Sequence, residues 1–175
     1  MNPILQTLQL EIASSLHALD ANQTQLRPPR NPGGWSIQQI AEHLLLTYSA
    51  AETALSARIS KRSPTKAPPS LRHRVQQYAS LSLGYFPLGR KAPPMVTPPL
   101  SAPPRSGSEL AQAAGQYLSS FDLRCTEAES LFGANRCASH LVLGPLSVDQ
   151  WRMFQLVHGR HHLKQIAAIR KAHNL

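Results

Sequence analysis

The chain has 175 residues, of which 42% are hydrophobic and only 15% charged, and it carries a formal net charge of +9. That length builds one domain with a proper core and falls short of two ordinary ones, so residues 1–175 are expected to form a single domain. No apolar stretch approaches the ~20 residues of a membrane span. The opening MNPILQTLQLEIASS also lacks the basic-then-apolar layout of a signal peptide. No membrane partner and a cytoplasmic location are therefore expected.

Nucleic acid is the first partner that such a charge suggests, because Lys and Arg neutralise phosphates and release counterions. The basic residues are diffuse, however. Arg58, Lys61, Arg62, Lys66, Arg72 and Arg74 form one stretch, and Arg152, Arg160, Lys164, Arg170 and Lys171 another. No zinc-finger spacing, RNA-recognition signature or basic zipper accompanies them. The charge reads first as solvated surface, with an acidic small-molecule substrate as a further reading and nucleic acid ranked last. Cys125 and Cys137 make no disulfide framework and are expected to be reduced, structural thiols.

Apolar residues at Ile4, Leu5, Leu8, Ile12, Leu16 and Leu19 predict a first amphipathic helix from Ile4 to about Leu26, ended by PPRNPGG at 28–34. Ser36 followed by Gln39 is a capping-box pattern that opens a second helix. Its stripe is Ile37, Ile40, Ala41, Leu44, Tyr48, Ala51 and Leu55, and it should end near Lys61–Ser63, before Pro64. Residues 64–105 hold most of the 15 prolines. A short helix is expected over Leu71 to Leu83, then an extended, polyproline-like crossover from Pro87 to Arg105. A third helix should run from Ser106 or Ser108 to about Phe132, stopped by Gly133. The capping box Ser147–Gln150 opens a fourth, with Trp151, Phe154, His158, His162, Gln165 and Ile169 on one line. No strand is convincing. The fold class expected is all-α: a four-helix bundle of up-down-down-up or similar type, with a long Pro-rich crossover between its second and third main helices.

The sharpest chemical feature is His158-Gly159-Arg160-His161-His162. Histidines at i and i+4 project from one helix face and can bind one metal together. His158 and His162 share the line of Trp151, Phe154 and Ile169, so they point inward, where an unpaired polar group is costly. A hydrogen-bonded core pair is the plainer alternative. His43, about two turns into the second helix, lies on the shoulder of its stripe. By position alone it is either a boundary histidine or the third ligand. His161 competes as an i, i+3 partner of His158, while His17, His73, His140 and His173 are the remaining histidines. Gln165, one turn beyond His162, is placed to orient its ring. Glu42 points elsewhere on its helix. Tyr48, Tyr78, Tyr85, Tyr117 and Arg160 read as packing or surface, and none is given a catalytic role.

Taken together, GWSIQQIAEHLL and FQLVHGRHHLKQI resemble the DinB-like family of metal-binding four-helix proteins. In that family a Trp-Ser pair opens the second helix and a histidine follows seven positions after the serine. The fourth helix carries His-x-x-x-His, then a glutamine and an aliphatic residue. Trp35, Ser36, His43, His158, His162, Gln165 and Ile166 fill those places. The long crossover is also typical of the family. The resemblance implies one divalent metal, zinc or nickel, held by His43, His158 and His162 with a coordination position left open, as in catalytic sites. It further implies a homodimer. Its functional expectation is transfer of a low-molecular-weight thiol or hydrolysis of a small substrate, or else a metal-binding stress-response protein without turnover.

Overall fold

The computed structural model describes residues 1–86, 91–134 and 136–175. Four long helices make most of it: α1 (Pro3–Leu16), α2 (Ile37–Ser60), α4 (Gly107–Phe132) and α5 (Val148–Ala172). Between α2 and α4, a short α3 (Leu71–Gln77) runs into a π turn at Tyr78–Ser82. These helices begin where local chemistry satisfies their free amides. Asn2 caps α1, and Ser36 with Gln39 and Ser147 with Gln150 form the two expected capping boxes. Ser70 with His73 and Ser106 with Glu109 form two more. Gly133 stops α4 with φ 63°, a conformation that favours glycine.

Two expectations need correction. The first helix ends at Leu16, not near Leu26. Ala18 turns to φ 60°, and the Asp20 carboxylate accepts from the amides of Asn22 and Gln23, both at 2.8 Å. These local bonds compete with helix and wind Gln23–Gln25 into a 3-10 turn. Strands are also present. β1 (Arg136–His140) and β2 (Gly144–Ser147) pair antiparallel, with His140 opposite Gly144 and Ala138 opposite Leu146. The His140 ring holds the turn, its Nδ1 accepting from the amides of Val142 and Leu143 at 3.1 Å each. Strands of five and four residues are too short for periodicity to betray. The fold is mostly helical with a two-stranded sheet, rather than all-α.

Contacts fix the helix directions. Leu8 lies against Gly159, and Arg170 donates to the Ser15 carbonyl, so α1 and α5 run parallel. Asn2 donates its backbone N–H to Asp122, while Gly107 donates to the Leu19 carbonyl, so α1 and α4 are antiparallel. Gln38 bonds the Pro103 carbonyl and Ser120 donates to Glu52, so α2 and α4 run parallel. Parallel neighbours cannot be joined by a short turn. The chain must travel back along the bundle, and residues 61–106 do so. Within it, α3 and the π turn occupy the expected Leu71–Leu83 helix, and Pro94–Val96 is a single 3-10 turn. Residues 87–90 of the expected extended stretch lie outside the described residues.

The core is apolar, with Leu5, Leu16, Leu44, Leu55, Leu118, Phe121 and Ile166 fully buried. Arg152, only 4% exposed, ties α5 to α4 through Asp122 at 3.4 Å and Glu129 at 3.1 Å. Cys125 and Cys137 are free, buried thiols. Among the described residues no helix is long and apolar enough to cross a membrane.

The crossover lands at Gly107, where a Cβ would run into the Leu16 backbone carbonyl. Backbone cannot swing aside as a side chain can. Gly107→Ala is therefore expected to destabilise the fold by about 1–3 kcal/mol, read as a drop in thermal midpoint of roughly 2–10 °C.

Candidate metal centre

α2 and α5 run antiparallel, because the chain after α2 and the start of α5 meet at the hairpin. Thr65 donates its backbone N–H to Cys137, and Trp151 donates its indole N–H to Ala138. This pairing brings His43, near the start of α2, opposite His158 and His162 on α5. The His158 Nε2 lies 3.4 Å from the His43 Nε2 and 3.1 Å from the His162 Nε2. One nitrogen from each of the three rings lies within 4.8 Å of the others. His43 and His162 are 5% and 7% exposed, and His158 is partly buried.

The far sides of the rings decide where the protons sit. The His43 Nδ1 is 2.6 Å from the Val96 carbonyl, which can only accept, so that nitrogen carries the hydrogen and donates. The His162 Nδ1 donates to the Gln165 Oε1 at 3.0 Å, while the Gln165 amide group is 3.2 Å from the His161 Nε2. In their neutral forms, His43 and His162 thus present lone pairs at Nε2. His158 faces both with its own Nε2, and its buried Nδ1 has no partner among the described residues. A neutral imidazole has one hydrogen to place. Wherever it sits, at least one buried ring nitrogen is left unsatisfied, at a cost of about 1–3 kcal/mol.

A divalent cation takes all three converging lone pairs at once, with the His158 hydrogen then on Nδ1. Nitrogens about 2.05 Å from one ion in a tetrahedral arrangement stand roughly 3.3 Å apart, close to the 3.4 and 3.1 Å between the His158 Nε2 and the other two; all three lie within 4.8 Å of one another. The residues present therefore fit a metal ion. An all-imidazole donor set suits zinc, nickel, copper or iron better than calcium or magnesium.

Aromatic rings wall the cluster. The Trp35 ring centroid is 4.9 Å from that of His43. Phe154 stacks on His158 at 5.1 Å and 11°, and Phe86 lies 5.6 Å from it. Burial, together with the neighbouring imidazoles, pushes the pKa of His158 well below its usual value and that of His162 down to about 3. Burial lowers His43 too, against the opposing pull of the Val96 carbonyl. The three rings are neutral at ordinary pH, the form that binds metal.

The remaining candidates have other employment. His161 stands outside the cluster, its ring edge-on to His162 at 5.1 Å and its Nε2 3.2 Å from the Gln165 amide. His73 belongs to the α3 cap, His140 to the hairpin, and His173 bonds the Arg27 carbonyl. Glu42 accepts from Gln38, and Arg160 pairs with Glu11 at 2.6 Å. Tyr48 is buried; Tyr78, Tyr85 and Tyr117 are exposed. Two cavities of about 490 Å³ flank Arg74, Gln77 and Gln150, away from the histidines. Sequence reasoning missed the Val96 carbonyl, for which no sequence signal exists. It also missed Trp35 as a wall of the cluster, tilted 41° against His43, for which its position before the Ser36 cap was the available clue.

The depressed histidines make the metal-free protein acid-sensitive. His162 falls to about 3 and His140 to about 4 in the folded state, both mainly by burial, against 6.5 when unfolded. Between those values the unfolded chain binds more protons, so stability rises with pH. Urea titrations of metal-free protein are expected to show full stability above pH 6.5 and a progressive loss toward pH 3, with His162→Leu flattening that limb.

A search of curated proteins and of solved structures finds no match to this chain. A family model described as "Protein of unknown function (DUF1569)" matches residues 5–168, nearly the whole chain. On that extent of match, and with the three-histidine cluster lying inside it, the chain belongs to the DUF1569 family.

Proposed function

We propose that this chain is a metal-dependent enzyme of the DinB-like superfamily. In this reading it is one four-helix domain that holds a single divalent ion on His43, His158 and His162. Its reaction class is transfer of a low-molecular-weight thiol to a small electrophile, or hydrolysis of a small substrate. The observation that carries the reading is the meeting of three neutral imidazoles, two of which, His43 and His162, have their outer protons committed elsewhere. A divalent ion supplies Lewis acidity, lowering the pKa of a thiol or water that reaches it.

The chain's own residues do the rest. The Val96 carbonyl and Gln165 orient His43 and His162 so that both Nε2 atoms aim at one point. Trp35, Phe86 and Phe154 exclude bulk water from the rings and keep them neutral. Three protein ligands leave at least one position for a reactant, the pattern of catalytic rather than structural zinc sites. Zinc or nickel and a homodimer, on the strength of the sequence resemblance, and a cytoplasmic location, on the reading of the N-terminal sequence, complete the proposal.

One observation favours a second reading, a metal-binding or stress-response protein without turnover. No carboxylate joins the cluster among the described residues, so a general base is not evident.

Elemental analysis of purified protein tests the site. About one equivalent of divalent metal per chain is expected in the wild type and little in His43→Ala or His162→Ala; unchanged content in both variants removes the site. Gln165→Ala is expected to weaken metal affinity about 10–100-fold without unfolding the bundle. Metal-loaded protein that neither transfers glutathione- or bacillithiol-like thiols to electrophiles nor hydrolyses small esters and amides leaves the non-catalytic reading.

A further inference from the structure

The net charge has one source. Between Glu52 and Glu109 lie nine of the chain's 18 Lys and Arg and none of its nine Asp and Glu. The remainder of the chain is balanced, nine basic against nine acidic, so the entire +9 belongs to the end of α2 and the crossover. Every ion pair among the described residues lies outside this segment. Lys61, Arg62, Lys66, Arg72, Arg74 and Lys91 are all exposed.

The same segment also exposes apolar side chains. Leu71 is 78% exposed, Val75 60%, Tyr78 64%, Leu83 65%, Met95 68% and Leu100 95%. On α3 the arrangement is ordered. Leu71, Val75 and Tyr78 fall within a band about 60° wide, at ~100° per residue, with Arg74 on one shoulder and Arg72 on the other. The opposite side carries Gln77, whose amide donates to the Leu143 and Pro145 carbonyls and anchors α3 to the hairpin. The helix is thus fixed with its apolar band outward and its arginines flanking it. That layout matches a lipid surface: aliphatic groups enter the interface while cations meet the headgroups.

We infer that this face docks on an anionic membrane surface. A second copy of the chain is disfavoured as its occupant, because a two-fold contact would press the unpaired cations of one protomer against those of the other. Nucleic acid explains the cations but not the outward apolar band, since phosphates gain nothing from Leu71 or Val75. That no helix among the described residues is long and apolar enough to cross a membrane says nothing about such a surface contact.

Flotation of the full-length protein with vesicles tests the inference. Binding is expected to phosphatidylcholine vesicles containing about 30% phosphatidylserine, and not to phosphatidylcholine alone. It should disappear as salt is raised from about 0.1 M to 0.5 M. The double variant Arg72→Gln/Arg74→Gln is expected to weaken it about 25-fold, roughly fivefold per charge. Leu71→Ser/Val75→Ser should weaken it as well, with the helical circular dichroism of both variants unchanged. Equal binding to neutral vesicles, no binding to either, or indifference to the arginine variant overturns the proposal. So does tighter binding to duplex DNA or RNA that Leu71→Ser/Val75→Ser leaves intact, or a dimer that this variant dissociates.

Discussion

The site turns on two committed protons. The outer nitrogen of His43 donates to Val96 and that of His162 to Gln165, so both rings must turn lone pairs toward His158. His158 cannot satisfy both and also find a partner for its own buried Nδ1. Without a cation the cluster is electrostatically frustrated in surroundings that already disfavour imidazolium. With one, every ring nitrogen but the His158 Nδ1 has a partner. Unpaired buried polar atoms are uncommon in folded proteins. The convergence of three Nε2 atoms, two of them with their outer protons committed, is what separates this cluster from three histidines that merely pack together.

The crossover is the second half of that arrangement. Because α2 and α4 run parallel, a long return is a topological requirement, and proline-rich chain suits it by staying extended. Such chain lacks many N–H donors but keeps all its carbonyls, and these need partners. The first turns of α2 supply them. Gln38 donates to Pro103, Gln39 to Pro99 and His43 to Val96. A segment that the connectivity makes unavoidable therefore also sets the tautomer of a metal-ligand candidate. The basic, apolar face lies on the same segment, so the crossover carries both the support for His43 and the chain's charge.

Much of this was legible in residue order. Ser36–Gln39 and Ser147–Gln150 announced two helix starts, and Gly133 one helix end, because capping is a contact between residues three or four apart. His158 and His162 announced a shared face for the same reason. The hairpin was hidden, since it depends on the His140 ring reaching the amides of its own turn and on burial of Cys137 and Leu146. The early end of α1 was hidden too, because Asp20 competes with the helix for nearby amides.

The sequence by itself determined the long helices, the place of the crossover and the inward pair on α5, all set by interactions within one or two helical turns. Only the tertiary structure decided that His43 completes the cluster and His161 does not. Helical position left His43 on the shoulder of its stripe. The antiparallel packing of α2 on α5 turned that shoulder toward His158, and a carbonyl 53 residues away fixed its proton. Such contacts depend on how elements pack, which spacing along the chain does not encode.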